Sequence, residues 1–109
     1  MSDYSQVVSA VQQVSGVQSA AVIDSSGQLH NSSISDPAPE LGTVSNALFN
    51  NISTQIKRMQ RGTLQRLVLE TEDGITLLSG LASGGLLVVF ASVVEGFNLA
   101  KLIEVASRY

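Results

Sequence analysis

The segment from Asp36 to Arg61, DPAPELGTVSNALFNNISTQIKRMQR, carries the longest helical pattern in the chain. At about 100° per residue, Leu41, Val44, Leu48, Ile52, Ile56 and Met59 fall in one stripe about a third of the circumference wide. Such a stripe is expected to bury against a sheet. Asp36 reads as the N-cap, with Pro37 at the first helical position, Pro39 still in the first turn and Glu40 at the positive dipole end. Gly62 ends the helix after Arg61.

The opposite face is unusual. Thr43, Asn46, Ala47, Asn50, Asn51, Ser53 and Thr54 are small or neutral, and no charge stands between Glu40 and Lys57. A solvated helix face usually carries Glu and Lys pairs. The face therefore reads either as an ordinary polar surface with an aromatic at its edge or as one covered by another subunit. Phe49 lies just outside the stripe, where a lone domain has little to pack on it, and this favours the covered face.

A chain of 109 residues suits a single domain, 1–109, that buries roughly 65% of its unfolded surface. No cysteine is present, which excludes disulfides, thiolate metal sites and a cysteine nucleophile and is compatible with a reducing, cytoplasmic setting. The start, MSDYSQ, has no basic region followed by an apolar run, and no stretch approaches the roughly 18 apolar residues of a membrane span. The expectation is a soluble, unprocessed chain with no direct membrane insertion. Only 14% of residues are charged and mean hydropathy is +0.25, so part of the apolar surface is expected to meet a partner.

A net charge of −3 gives no electrostatic footprint for nucleic acid. The basic residues nevertheless cluster at Lys57, Arg58, Arg61 and Arg66. Cations at a helix C-terminus complement its macrodipole; the same cluster also suits contact with an acidic partner.

The rest of the chain organises around the long helix. Residues 3–14 place Tyr4, Val7, Val8, Val11 and Val14 at helical spacing, and Gly16 follows as a stop. Val17 to Asp24 contains the unbroken apolar run Ala20 to Ile23, a strand covered on both faces. Gln28 to Ile34, rich in polar residues, reads as an edge strand with His30 as a solvated edge residue. Thr63 to Thr71 and Ile75 to Ser79 form a hairpin through Glu72, Asp73 and Gly74. Leu86 to Ala91, apolar on both faces, belongs beside the first strand, which leaves Leu64 to Glu70 as an exposed edge. Asn98 caps a last helix carrying Leu99, Leu102, Ile103, Ala106 and Tyr109. The fold class is α+β: helix, two strands, helix, three strands, helix, with a five-stranded antiparallel sheet flanked by helices.

No catalytic constellation emerges. One histidine in a polar strand offers no nucleophile, base and orienter set, and there is no G-x-S-x-G elbow. Gly80, Gly84 and Gly85 precede a strand rather than open a helix, so they are turn glycines and not a phosphate loop. Glu72 and Asp73 are solvated turn residues. No enzyme activity, cofactor or metal site is expected.

SGVQSAAVIDSSGQL at Ser15 to Leu29, LVLETEDGITLLSGL at Leu67 to Leu81 and GLLVVFASVVEGFNLAKLIEVASR at Gly85 to Arg108 resemble the roadblock/LC7 (dynein light chain-like) family. The resemblance spans nearly the whole chain. It implies the αββαβββα sandwich, of profilin-like architecture, and dimerisation through the long helix and the third strand, with two sheets running into one. Ala47, Asn51, Thr54, Leu64, Gln65, Arg66 and Val68 then become candidate dimer residues. A proline at Gln65 would remove an N–H offered to the partner strand.

The resemblance also implies a non-enzymatic role. The chain looks like bacterial regulators of the gliding and polarity type, which bind a Ras-like small GTPase and stimulate hydrolysis by reshaping the GTPase's own switch elements. Asn46, Phe49, Asn50, Lys57 and Arg58 are the candidate contacts for such a partner. Two other classes stay open: a structural scaffold or adaptor without effect on nucleotide turnover, and a small-molecule sensor domain, against which the scarcity of aromatics and convergent polar groups argues.

Overall fold

The computed structural model describes residues 4–109. Its elements run α1 (Ser5–Gln12), β1 (Val17–Ile23), β2 (Leu29–His30), α2 (Leu41–Arg58), β3 (Arg66–Thr71), β4 (Gly74–Gly80), β5 (Leu86–Ala91) and α3 (Leu99–Ala106). Asp3, included in the helix expected from the sequence, lies outside the described residues.

The strands form one antiparallel sheet in the order β2-β1-β5-β4-β3. The two uninterrupted apolar runs explain this order. Ala20 to Ile23 and Leu86 to Val89 are buried without a break, which only strands covered on both faces allow. They pair with each other, Val22 opposite Leu87 and Ala20 opposite Val89. The α+β order read from the sequence is the one observed, with β3 at the edge.

The two faces of the sheet are filled unequally. On one, Val7, Val8 and Val11 of α1 and Leu102, Val105 and Ala106 of α3 close over Ala20, Val22, Leu77, Leu87 and Val89, all buried. The other face carries a smaller core of Ala21, Ile23, Leu78, Leu86 and Val88, against which Leu48 and Phe49 of α2 pack while staying half-exposed. Within α2 only Gly42 and Ser45 are buried. Ser79 is the buried side chain whose hydroxyl finds no partner among the described residues.

α2 is shorter than its sequence pattern at both ends. Pro37 and Pro39 lack an N–H, and each disfavours helical backbone in the residue before it. Asp36 takes a left-handed conformation (φ 49) instead of capping, and the helix begins at Leu41 without a side-chain cap. At the other end the helix stops at Arg58, and the left-handed turn comes at Gln60 (φ 60), ahead of Gly62 (φ 88). Arg61 N–H donates to the Ile56 carbonyl at 3.2 Å and Gln60 N–H to that of Lys57 at 2.9 Å, the paired bonds of a Schellman ending.

β2 is likewise only two residues long, because Asn31 turns left-handed (φ 51) and ends the ladder. His30 is not the solvated residue expected. Its Nε2 donates to Asp24 Oδ2 at 2.7 Å, and its ring meets Tyr4 edge-on at 5.7 Å. Asp24 Oδ1 in turn accepts from Ser26 N–H at 2.9 Å, Ser26 Oγ at 2.6 Å and Gln28 N–H at 3.0 Å, an Asx-type turn.

These bonds hold the Asp24 carboxyl well below the usual carboxylate range, the His30 bond contributing most, then the Ser26 hydroxyl and the Gln28 N–H, against a smaller opposing effect of burial. A depressed folded-state value stabilises the fold above the unfolded value, about pH 3.9, and that stabilisation is lost as pH falls through the folded value. Urea titrations across pH should therefore find Asp24→Asn less stable than wild type at pH 7, with the gap closing below about pH 4.

Candidate interaction surface

α2 is positioned by its first turns. A side-chain atom on Gly42 would overlap the carbonyl oxygen of Gly27, so the helix backbone rides directly on the β1–β2 turn. Asn46 Nδ2 donates to the Asp24 carbonyl at 2.9 Å. Further along, the Phe49 ring lies 3.8 Å from where a side chain on Gly80 would begin. Thus α2 crosses the sheet from the β1–β2 turn toward β4 and β3.

This geometry corrects the sequence reading of the helix faces. The sheet-facing line runs along Gly42, Ser45, Phe49 and Ile52, rotated by roughly 60° from the line through Leu41, Leu48 and Met59. Phe49 belongs to the packed side. Of the expected stripe, Leu41, Leu48, Ile52 and Ile56 are half-buried, Ile52 on the sheet-facing line and Leu41 and Leu48 on the flank beside it, while Val44 is 56% and Met59 65% exposed. Those two are surface residues, where the sequence pattern assigns them to the core.

Beside this flank the sheet itself is open. Leu69, Thr76, Phe90 and Ser19 form one cross-strand row and all four are half-buried. Two depressions of about 300 and 410 Å³ adjoin the row and share Gln18 and Phe90. Leu41 and the Asp36 to Ala38 loop border the larger one. Flank and open row together form a corner, with Leu41 and Leu48 on one side and Leu69 and Phe90, interleaved with Thr76 and Ser19, on the other.

The remaining candidate residues divide by position. Asn46 and Phe49 hold α2 onto its own sheet. Ala47, Asn50, Asn51 and Thr54 are exposed on the outer side of α2, although the Thr54 hydroxyl donates to the Asn50 carbonyl at 3.1 Å. Lys57 and Arg58 are exposed in the last turn, with Arg58 Nη1 3.4 Å from Gln55 Oε1. Among the described residues the ion pairs are Asp24 with His30 and Glu104 with Lys101 and Arg108, so Lys57, Arg58, Arg61 and Arg66 have no carboxylate partner.

On β3 no residue is buried. Leu64 and Arg66 are half-buried, Gln65 is exposed and Val68 is 38% exposed. Gly80 N–H donates to the Gln65 carbonyl at 3.2 Å, so the backbone of Gln65 faces β4 and not the open edge. A proline at Gln65 would therefore remove no N–H from the open edge. The N–H groups turned outward alternate with it, on Arg66, Val68 and Glu70.

No helix among the described residues is long and apolar enough to cross a membrane. The fold is similar to that of a Roadblock/LC7 domain from Streptomyces avermitilis, with 22% identity and a TM-score of 0.79 over 98% of this chain and 91% of that one. It is also similar to the gliding protein MglB from Thermus thermophilus, at 21% identity and a TM-score of 0.73 over 94% and 79%. MglC from Myxococcus xanthus matches at 21% and 0.58 over 96% and 91%. Among curated proteins no sequence matches this chain. The Roadblock/LC7 domain matches residues 4–91, from Tyr4 through the end of β5. With most of its length so matched and the same helix and strand order around α2, the chain belongs to the Roadblock/LC7 domain family.

Proposed function

We propose that this chain is a cytoplasmic, non-enzymatic homodimeric module that binds a Ras-like small GTPase and regulates its nucleotide cycle. The observation that carries this reading is the unfinished α2 side of the sandwich: a half-open corner with Val44 and Met59 exposed, near Lys57, Arg58 and Arg61, which have no carboxylate partner among the described residues. A second copy, approaching along β3 with its own α2 beside the first, closes the corner. Paired α2 helices then offer Asn50, Lys57 and Arg58 to the GTPase, whose nucleotide-binding face is rich in carboxylates and phosphates. The family to which the chain belongs and its likeness in fold to gliding proteins support a GTPase as the partner.

A regulator of this kind needs no catalytic residue of its own, because order or disorder of the GTPase switch segments is enough to alter turnover. The test is binding of the dimer to small GTPases from the same organism, each loaded with GDP or a non-hydrolysable GTP analogue. Tighter binding of the GTP form is expected, and Lys57→Glu with Arg58→Glu should weaken it about tenfold or more at low salt. Unchanged affinity in that double variant overturns the contact map. Equal binding of both nucleotide forms replaces regulation with scaffolding.

A further inference from the structure

Resting on the homodimer proposed above, we infer that two copies join through β3 in one antiparallel register, centred on Val68, and that Arg66 and Glu70 are the residues that specify it.

The backbone limits the choices first. Gln65 faces β4, and the β3–β4 register continues through Leu67 opposite Leu78 and Leu69 opposite Thr76. Because pairing groups alternate along a strand, Arg66, Val68 and Glu70 turn both N–H and C=O to the open edge. A second β3 related by a two-fold axis must bring outward groups to outward groups. Centring on Val68 matches Arg66 with Glu70 of the other copy, Val68 with Val68, and Glu70 with Arg66, so every outward residue forms a doubly bonded pair.

Side chains select the same register. Arg66 and Glu70 have no ion partner among the described residues, and both project to the face shared with Leu77, as does the exposed Val68 between them. In the Val68 register both charges gain an opposite charge across the strands, and the two valines cover each other. On the α2 side Leu67 meets Leu69. Centring on Arg66 or on Glu70 instead sets like charges directly opposite, which is destabilising. Centring on Leu67 or Leu69 sets Val68 against a charge and leaves fewer outward residues paired. The charge pattern thus favours one register and penalises its neighbours.

The consequence is a self-recognition code that can be rewritten. Arg66→Glu and Glu70→Arg should each weaken the dimer at least tenfold by sedimentation equilibrium, with circular dichroism unchanged. Mixed in equal amounts, the two variants should form heterodimers, since each then meets opposite charges at both positions. Absence of cysteine permits a second readout. Val68→Cys should oxidise to a disulfide-linked dimer, because directly opposed residues lie about 5.5 Å apart between Cα atoms, within disulfide reach. Leu67→Cys alone should not, but should cross-link when mixed with Leu69→Cys. If wild type is a dimer but the charge variants stay dimeric and show no mutual preference, or if Leu67→Cys cross-links with itself, the register is overturned and the homodimer stands. A wild-type chain that stays monomeric overturns both.

Discussion

Gly42→Ala should lower the unfolding free energy by about 2 kcal/mol, opposite in sign to the usual result for that exchange in a helix. Alanine is intrinsically better than glycine in a helix interior by about 1 kcal/mol. Here the added methyl group would overlap the Gly27 carbonyl, and the obstacle is backbone, which cannot swing aside as a side chain can. Relief requires α2 to lift from the β1–β2 turn. Overpacking of this kind costs roughly 1–3 kcal/mol, and the Asn46 bond to the Asp24 carbonyl is strained with it, at about 1 kcal/mol. Asn50→Ala, on the exposed side of the same helix, should change stability by no more than about 0.5 kcal/mol. Denaturant midpoints for the two variants decide the matter: a neutral or stabilising Gly42→Ala would mean that α2 does not ride on that turn.

The larger effect is expected for Leu102→Ala, a loss of about 3 kcal/mol. Leu102 is fully buried among Val7, Val11 and Leu87, where neighbours fixed on two other elements cannot collapse into the space left. For a domain of this size about 3 kcal/mol is a large share of the whole stability, and the melting temperature should fall by roughly 10 °C or more. Leu48→Ala, on the half-open α2 side, should cost less than half as much. The family match itself ends at Ala91. α3 lies beyond it yet supplies three buried residues of the better-filled core, so a chain cut after Ala91 should fail to fold. A variant Leu102→Ala as stable as wild type would remove α3 from the list of essential elements.

Sequence patterns convey the sheet well because its signals are local and unambiguous. Unbroken apolar runs mark β1 and β5 as central, and the absence of such a run marks β3 as an edge. Asn98 is legible as a cap, and its side chain does accept Lys101 N–H at 3.1 Å. The rotation of α2 is not legible. Periodicity defines a stripe, but Leu41, Val44 and Leu48 would form the same stripe whether it faced the chain's own sheet or a neighbour. What turns the helix is the contact between Gly42 and Gly27, two small residues that carry no hydrophobic signal. The Asp24 and His30 pair is hidden for a related reason: the two approach only once a turn has closed, and neither neighbouring sequence marks them as partners. Pro37 and Pro39 are each tolerable in a first helical turn, yet it is their effect on the preceding residues that governs where the helix begins.

The strand order also dictates when parts of the chain can become stable. Hairpins β3–β4 and β4–β5 close locally, but β1 pairs with β5, coupling Val17 to Ala91. Roughly two thirds of the chain must be looped before that central seam exists, and loop closure of this length precedes any reward from the contacts it permits. On the ribosome, Ala20 to Ile23 therefore emerge long before Leu86 to Val89, and an apolar strand with no partner waits in solvent. Meanwhile β1 can form only local native structure: the β1–β2 turn, with Asp24 gripping Ser26, Gln28 and His30, and the packing of α1 onto its Ala20 and Val22. Folding is thereby set to begin in the second half of the sequence and to recruit the first half last.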